Sequence, residues 1–506
     1  MGVARVVVCP GSRNAPLVFA LQNYFKTYTH LDERGAAFFA LGMMQSRPHE
    51  PVAVLCTSGT AAVELFPAIV EAHYQGVSLI AITADRPLNY RKSGAPQAIN
   101  QEKLFGEYAE FYDVLDVENY PNAVKKNIPL HLNIPLEEPR AGDWPQAKES
   151  LDQFKIEIKN EAPLTLETLD SSAFSTFLKA AVKPLVLVSG VSDSNSIVVN
   201  SFLAKLQWPV LSESTAYLPD IKNLKFSERF FKENPPTHIL RIGAVPSFRI
   251  WRDLENAEKI QVFSLNNVDY SGLARNSLSA PLSLLEKYLE IASSHPADEY
   301  LQKATAYSEE RERHFYYLLT KYPRSEHALL HDVANIRDPK SALFLGNSLA
   351  IREWLQASSE STPSTFASRG ANGIDGQISS FLGISENYAE TWAVIGDQTA
   401  MYDMNALCVC KSLSQKKRRL LIINNRGGKI FSHLSYSSSL TQQQARTLEN
   451  NHNYNFEPWA QFFGWAYHEH TGADVFPQEL FSRDELIIEL VPDATQTHNF
   501  WNKWRK

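Results

Sequence analysis

Short apolar runs alternate with segments of helical periodicity along most of the chain. The clearest example lies in the last quarter, where the apolar runs Ala393–Ile395 and Leu420–Ile423 flank apolar positions at helical spacing. This order predicts a β-α-β unit, in which the two strands are parallel and the connection is right-handed. The first run stops at Gly396-Asp397 and the second at Asn424-Asn425. Asp397 and Asn425 are therefore predicted to lie at the same edge of a sheet, where α/β proteins bind ligands.

The same alternation opens the chain and continues through its middle. Arg5–Val8 is predicted to be a strand that leads into a Pro-Gly-Ser-Arg turn and a helix. The 506 residues are enough for about three domains. We predict an α/β fold of three consecutive domains with mainly parallel sheets flanked by helices, over residues 1–150, 151–320 and 321–506. Because a core strand normally follows a covering helix, we also expect that an N-terminal helix is missing.

Composition narrows the class of protein. The chain is 44% hydrophobic and 21% charged, which is ordinary for a globular protein, and its net charge of −7 argues against general nucleic-acid binding. No apolar run approaches the length of a membrane span. The four cysteines (Cys9, Cys56, Cys408 and Cys410) make no disulfide framework, and we interpret them as buried thiols in a reducing compartment. We therefore expect a cytoplasmic protein.

The sequence also contains a basic patch, Lys416–Arg419. We interpret this patch as a solvated loop.

The edge predicted to carry Asp397 and Asn425 offers only oxygen ligands. One carboxylate, one amide oxygen and a backbone carbonyl freed by glycine suit a hard cation such as Mg²⁺. Mg²⁺ takes its remaining ligands from water and phosphate oxygens, so the pattern suggests a metal-bridged diphosphate. The alternative is a structural turn, because Gly-Asp and Asn-Asn pairs are common in turns.

Glu33 is a candidate for proton transfer. It lies at the start of an apolar helix in HLDERGAAFFALGM. The helix N-terminus favours the carboxylate, whereas burial among the apolar residues that follow would raise its pKa. A glutamate in this position can share a proton with a ligand nitrogen. The alternative is an acidic residue that only stabilises the helix.

Several motifs, in this order, resemble those of thiamine-diphosphate-dependent enzymes, and most closely the branch that acts in menaquinone biosynthesis. They are CPGSRN, HLDERGAAFFALGM, CTSGTAAVELFPAIVEA, ITADRP and PQAINQ near the start, and LGNSLAIREW, ASRGANGIDGQIS, GDQTAMYDMNALC and INNRGGKIF near the end. The resemblance implies thiamine diphosphate with Mg²⁺ or Mn²⁺ as cofactors. It implies that Asp397, Asn425 and the carbonyl of Gly427 bind the ion. This chain has Gln398 where the family usually has glycine.

The resemblance also assigns roles around the cofactor. It implies that Glu33 is the catalytic residue and hydrogen-bonds the pyrimidine ring. The other residues implied to contact the cofactor, besides the metal ligands, are Arg369, Ile374, Thr399, Ile430 and Phe431. In the family, the first and third domains of different subunits meet at the site. We therefore expect a homodimer or a dimer of dimers.

Arginines indicate the kind of substrate. Four of them lie in or just beyond turns that follow predicted strands: Arg13, Arg86, Arg352 and Arg369. Because guanidinium groups bind carboxylates through paired hydrogen bonds, we expect substrates with several carboxylates. The resemblance implies 2-oxoglutarate, which would be decarboxylated, and isochorismate, which would accept the succinyl unit by 1,4-addition. By the same resemblance Ser348 and Arg352 would bind the distal carboxylate of 2-oxoglutarate, and the residues facing isochorismate would be Ser12, Arg13, Arg86, Gln97 and Arg249.

Two other functions stay open at the level of the sequence. The first is another thiamine-diphosphate-dependent 2-oxo acid decarboxylase or carboligase, of the acetolactate synthase type, which would carry fewer arginines. The second is a catalytically silent homologue that only binds the cofactor, with which the short amino end is compatible. Titration with the cofactor and release of carbon dioxide from 2-oxoglutarate distinguish these possibilities.

Overall fold

The computed structural model describes residues 2–505 except 116–122, 126, 141, 143–156, 160–170, 226–227, 269, 291, 293–297, 359–360, 435 and 474. Three main sheets follow one another along the chain, and each consists of parallel strands. The predicted α/β fold class is confirmed. The predicted boundary between residues 150 and 151 lies outside the described residues. Among the helices that are described, none has the length and apolar character that a membrane crossing requires.

The first sheet lies within residues 5–135 and has the strand order β2-β1-β3-β4-β7-β5, while β6 and β8 pair separately. The elements of this part are β1 (Arg5–Val8), α1 (Ala15–Gln22), β2 (Lys26–Thr29), α2 (Glu33–Ser46), β3 (Val52–Cys56), α3 (Thr60–Glu64), α4 (Phe66–Gln75), β4 (Ile80–Asp85), β5 (Glu110–Asp113), β6 (Ala123–Lys125), β7 (Leu130–Pro135) and β8 (Glu157–Lys159). Asp32 caps α2, because its side chain accepts a hydrogen bond from the Gly35 amide. Glu33 is thus the first residue of this helix, as the sequence predicted.

The second sheet belongs to the middle of the chain and has the order β10-β9-β11-β12-β13. Its elements are α5 (Ser171–Ala180), β9 (Pro184–Ser189), α6 (Asp193–Leu206), β10 (Val210–Ser212), α7 (Glu228–Glu233), β11 (His238–Gly243), α8 (Arg249–Asp253), β12 (Gln261–Asn266), β13 (Leu278–Pro281) and α9 (Leu285–Tyr288). Apolar side chains cover both faces of the sheet. This burial explains why its strands read as continuous apolar runs.

The third sheet has the order β15-β14-β16-β17-β19-β18. Its elements are α10 (Asp298–Lys321), α11 (Glu326–Ile336), β14 (Ala342–Leu345), α12 (Leu349–Ala357), β15 (Thr365–Phe366), α13 (Gln377–Ser385), β16 (Glu390–Gly396), α14 (Asp397–Tyr402), β17 (Lys417–Ile423), α15 (Gln442–Glu449), α16 (Glu457–Phe463), β18 (Ala466–His470), β19 (Glu485–Leu490) and α17 (Ala494–Trp504). The β-α-β unit predicted from the sequence is β16, α14 and β17. Its helix ends earlier than the periodicity suggests, and Met404–Ser412 is a 3₁₀ segment.

The first and third sheets share one hydrophobic core through the packing of α2 against α13. Glycines allow this close approach. A Cβ atom at Gly42 would lie 2.0 Å from the carbonyl oxygen of Ser380, and one at Gly383 would lie 2.1 Å from that of Phe39. The two helix backbones therefore fix the position of the amino-terminal third of the chain relative to the carboxyl-terminal third.

The interpretation of Lys416–Arg419 as a solvated loop is wrong. Lys417 begins β17, and Arg418 and Arg419 are buried within it. Arg418 lies 3.0 Å from Glu386, and Arg419 lies 3.2 Å from Glu390. Burial of a guanidinium is tolerated when carboxylates and carbonyls pair with it. The expectation for the cysteines holds for two of four, since Cys9 and Cys56 are buried while Cys408 and Cys410 are half-buried.

Candidate active site

The carboxyl edge of the third sheet brings several predicted site residues together. Ser348 follows β14, Arg369 follows β15, and Asp397 follows β16. Asn347 connects the first two turns, because its Nδ2 donates to the carbonyl oxygens of Ser368 and Gly373, each at 2.8 Å. Its Oδ1 accepts from Arg369 Nη1 at 3.0 Å. Asn347 was not predicted, although its place directly after a strand is a signal that could have found it.

Asp397 lies at the amino end of α14 and is 2% exposed. Its carboxylate accepts hydrogen bonds from the amides of Gln398 (2.6 Å) and Gly427 (2.9 Å). Burial raises the pKa of Asp397. At Gly427, where φ is +140°, a Cβ atom would lie 2.6 Å from Asn451 Oδ1. The same Cβ atom would lie 2.7 Å from the backbone carbonyl oxygen of Glu449, so glycine is required for the turn after β17 to pack against the end of α15.

The oxygen atoms at this edge are of the kinds that bind a hard divalent cation. A carboxylate has about four lone-pair sites, so Asp397 keeps acceptor capacity beyond its two amide hydrogen bonds. The amide oxygen of Asn425 and the carbonyl of Gly427 would supply neutral oxygens, which Mg²⁺ and Mn²⁺ accept. In the described part of the chain, no group of three or more His, Cys, Asp or Glu side chains could hold a metal ion. An ion here would thus depend on one carboxylate and neutral oxygens.

A polar loop after α15 forms another wall of this site. Gln398 Nε2 donates to the carbonyl oxygens of Glu449 (2.8 Å) and Asn450 (3.2 Å). Gln398 therefore ties the Asp397 turn to the end of α15. His452 Nε2 lies 3.2 Å from Asp397 Oδ2. His452 is about fifty residues from Asp397 along the chain, and no sequence signal indicated it.

The remaining predicted cofactor contacts lie at the same edge. Thr399 is 3% exposed in α14, one turn or less from Asp397. Ile374 lies in the turn between β15 and α13, and Ile430 and Phe431 lie in a 3₁₀ turn after Gly427. These three apolar side chains are half-buried. Apolar side chains of this kind suit an aromatic ring attached to a diphosphate.

Glu33 lies at the carboxyl edge of the first sheet. Burial raises its pKa, and the nearby carboxylates of Asp32 and Glu64 raise it further. Cys9 follows β1, and Cys56 is the last residue of β3. The charge of Glu33 adds to the effect of burial in raising the pKa of both thiols. Glu33 is thus half-buried near the carboxyl ends of β1 and β3, beside two thiols that stay protonated.

Other predicted substrate residues converge on the same edge. Arg13, adjacent to Ser12, is 7% exposed and donates to Glu138 Oε2 at 2.7 Å. Arg86 Nη1 lies 3.9 Å from the same oxygen. Gln97 packs on the turn after β3, where a Cβ atom at Gly59 would lie 3.2 Å from its Cβ. Two guanidinium groups thus converge on one carboxylate.

Arg352 belongs to a cluster between the middle and third parts of the chain. Its Nη1 donates to the Ser348 carbonyl oxygen at 2.8 Å. Burial lowers its pKa, as do Arg369 and Arg252, whereas Glu213 raises it. Glu213 is 1% exposed and accepts a hydrogen bond from the Ser247 amide at 2.6 Å. The charges of two other arginines and one buried acid thus act on Arg352, and this concentration of arginines favours a ligand with more than one carboxylate.

Arg249 is not brought into this cluster. Its Nε lies 2.8 Å from Asp253 Oδ1, and the two side chains are 53% and 49% exposed. Arg252, one turn further along α8, is the arginine of the middle sheet whose charge lowers the pKa of Arg352. The spacing of three residues on a helix was the signal that could have found it. The role of Arg249 in substrate binding stays a prediction.

Unusual backbone conformations accompany these residues. Ser348, Arg426 and Gln97 have φ values of +72°, +68° and +59°. Non-glycine residues adopt this region at a free-energy cost, and such residues concentrate at functional sites. All three lie in turns at the carboxyl edges of the first and third sheets, which supports a ligand site at those edges.

Comparison with known proteins identifies similar chains. Residues 1–104 match the family model of the thiamine pyrophosphate enzyme, N-terminal TPP binding domain. The chain is 37% identical to a 2-succinyl-5-enolpyruvyl-6-hydroxy-3-cyclohexene-1-carboxylate synthase of Bdellovibrio bacteriovorus, over 99% of this chain and 96% of that one. A synthase of the same name from Akkermansia muciniphila is 36% identical, over 98% and 94%. The structure of a Mycobacterium smegmatis enzyme assigned as thiamin-diphosphate-dependent superposes with a TM-score of 0.71 at 17% identity, covering 97% of this chain and 96% of that one, and so has the same fold.

Proposed function

Because the chain belongs to the family of 2-succinyl-5-enolpyruvyl-6-hydroxy-3-cyclohexene-1-carboxylate synthases, we propose that it makes this product in menaquinone biosynthesis. It decarboxylates 2-oxoglutarate and adds the succinyl unit to isochorismate in a 1,4 sense. The observation that carries this function is the 37% identity over 99% of the chain, which spans all three sheets.

Thiamine diphosphate, when bound, supplies an electron sink that lets carbon dioxide leave a 2-oxo acid. The protein supplies binding and orientation. Asp397, Asn425 and Gly427 would hold Mg²⁺ or Mn²⁺, and Arg369 and Thr399 would contact the diphosphate. The half-buried side chains of Ile374, Ile430 and Phe431 exclude water from the rings.

With the cofactor bound, the carboxyl group of Glu33 would hold or release a proton opposite a pyrimidine nitrogen. A carboxyl group does this best when its pKa is close to the working pH. Burial and two neighbouring carboxylates raise the pKa of Glu33, in the direction this task requires.

The arginines bind the substrate carboxylates. Arg352 and Ser348 hold the distal carboxylate of 2-oxoglutarate, supported by the arginine cluster in which Arg352 lies. Ser12, Arg13, Arg86 and Gln97 face isochorismate, together with Arg249. The convergence of Arg13 and Arg86 on the 74% exposed side chain of Glu138 supports their ability to bind an incoming carboxylate.

We also propose a homodimer or a dimer of dimers, in which Glu33 of one subunit and Asp397 of another share a cofactor. Within one chain, Asn405 Nδ2 donates to Asp32 Oδ2 and Arg34 Nη2 donates to the Tyr402 carbonyl. The Glu33 segment thus contacts the carboxyl end of α14, whereas Asp397 begins that helix. Exposed apolar side chains surround this contact and suit a subunit interface: Leu31 (74% exposed), Tyr402 (53%) and Met404 (38%). The four free thiols support a cytoplasmic location.

An assay with 2-oxoglutarate, isochorismate, thiamine diphosphate and Mg²⁺ tests the proposal. We expect carbon dioxide release and one adduct of the two substrates, identified by mass spectrometry. Carbon dioxide without the adduct would favour the acetolactate synthase type, tested by replacing 2-oxoglutarate with pyruvate. Binding of the cofactor without any turnover would favour a silent homologue.

A further inference from the structure

The side chain of Asn425 is held from behind by a buried acid. Glu326, the first residue of α11, is 2% exposed, and both of its carboxylate oxygens lie 3.2 Å from Asn425 Nδ2. The two residues are 99 positions apart along the chain. Asn425 follows β17 at the edge that carries the proposed metal ligands.

The two ends of an asparagine amide differ in chemistry but hardly in shape. Only the oxygen can bind a cation, and a half-turn of the amide would exchange oxygen for nitrogen. A carboxylate accepts hydrogen bonds and donates none. Glu326 therefore favours the orientation in which Nδ2 of Asn425 faces the acid and Oδ1 faces away. The reverse orientation would set oxygen against oxygen in a buried place, which is unfavourable.

Glu326 is itself fixed in place. Its amide donates to Thr497 Oγ1 at 3.1 Å, and the preceding Ser325 caps α11 by accepting from the Ala328 amide. The amino end of a helix favours a negative charge on its first residue. The start of α11 therefore fixes the position of the Glu326 backbone, and with it the place of the carboxylate that faces Asn425.

We propose that Glu326 is a positioning residue that turns the amide oxygen of Asn425 toward the divalent cation. The inference rests on the proposed metal ligands Asp397, Asn425 and Gly427. Partners behind a metal ligand hold it in the orientation that binds, and their loss typically weakens metal affinity about 10- to 100-fold.

Binding of Mn²⁺ to the full-length protein, followed by electron paramagnetic resonance with saturating thiamine diphosphate, tests this role without measuring turnover. Glu326→Gln keeps the side-chain volume but adds a donor that can pair with Asn425 Oδ1. We expect its dissociation constant for Mn²⁺ to rise about tenfold or more. The matched control is Glu457→Gln, because Glu457 is also the first residue of a helix, α16, but it is exposed and accepts a hydrogen bond from Gln461. We expect the control to bind Mn²⁺ within about threefold of the wild type.

A double substitution separates orientation from general damage. In Glu326→Gln with Asn425→Asp, the new amide at position 326 donates to the new carboxylate at position 425, which presents oxygen in either orientation. We expect the double variant to bind Mn²⁺ at least about threefold more tightly than Glu326→Gln alone. An unchanged affinity in Glu326→Gln, or an equal loss in Glu457→Gln, would overturn the inference. A wild-type protein that binds no Mn²⁺ would instead overturn the ligand set itself.

Discussion

At the scale of single residues, the raised pKa of Glu33 distinguishes two possible roles, capping of α2 and proton transfer. Burial is its main cause, and Asp32 and Glu64 add to it. A structural acid at a helix start would gain from ionisation, whereas a proton-sharing acid benefits from a pKa nearer neutrality. The environment of Glu33 therefore agrees with proton transfer better than with capping, which Asp32 already performs.

The substitution Glu33→Gln should keep the fold and cofactor binding but lower kcat about 10²- to 10⁴-fold, because the amide cannot exchange the proton. Steady-state kinetics and a cofactor titration measure the two effects. Glu64→Gln is the comparison variant: Glu64 is exposed and acts only through the pKa of Glu33, so its loss should lower kcat far less. Full activity in Glu33→Gln would remove this residue from the mechanism.

Arg352 offers a second test at the residue scale. Arg352→Ala should raise KM for 2-oxoglutarate far more than KM for isochorismate, by about 10-fold or more, because a hydrogen bond to a charged group is worth about 1.5–3 kcal/mol. Kinetics with each substrate varied in turn measure both constants.

Arg13→Ala should have the opposite pattern: it should raise KM for isochorismate more than KM for 2-oxoglutarate. If either variant affects the two substrates equally, the division of the arginines between them is wrong.

At the scale of elements, α4 holds a loop of the third domain. Glu71 on α4 is 3% exposed, and its carboxylate accepts hydrogen bonds from the amides of Gly370 (2.7 Å) and Ala371 (2.6 Å). The same loop carries Arg369 and Ile374. A helix from the part of the chain that forms the first sheet therefore holds a loop of the third sheet that carries proposed cofactor contacts.

Glu71→Gln should weaken thiamine diphosphate binding about tenfold, because one of the two loop amides then faces a donor instead of an acceptor. Isothermal titration calorimetry with Mg²⁺ present measures the dissociation constant. Gln75→Ala removes the other hydrogen-bond partner of Glu71 without changing a contact to the loop, and it should bind normally. Equal losses in the two variants would contradict a specific role for the carboxylate.

At the scale of the whole molecule, the proposed sharing of a cofactor between subunits makes a quantitative prediction. Equal amounts of Glu33→Gln and Asp397→Asn protein, unfolded and refolded together, would give about half mixed dimers, each with one intact site of two. We expect activity of about a quarter of the wild type from the mixture, and almost none from either variant alone. Turnover of the refolded mixture measures this complementation.

The control for this experiment is wild-type protein carried through the same refolding. No recovery in the mixture, with full recovery of the control, would mean that Glu33 and Asp397 of one chain serve the same cofactor.

The sequence alone determined the features that depend on neighbouring residues. Apolar runs that end in Gly396-Asp397 and Asn424-Asn425 predicted β16 and β17 and their common edge, because parallel strands in a β-α-β unit must end on the same side. The start of α2 at Glu33 followed equally from local pattern. The family motifs at both ends of the chain indicated the cofactor class, because each motif is a short stretch of consecutive residues.

Only the tertiary structure decided which distant residues surround these positions. Arg418 and Arg419 resemble a solvated loop in the sequence because their carboxylate partners lie elsewhere in the chain, such as Glu386, 32 positions away. Glu326 behind Asn425 and Glu71 beneath Gly370 gave no sequence signal for the same reason. The spacing of residues along the chain determines which edge of a sheet a side chain reaches. The partners that neutralise a buried arginine or orient an asparagine amide are distant in sequence, so only folding brings them together.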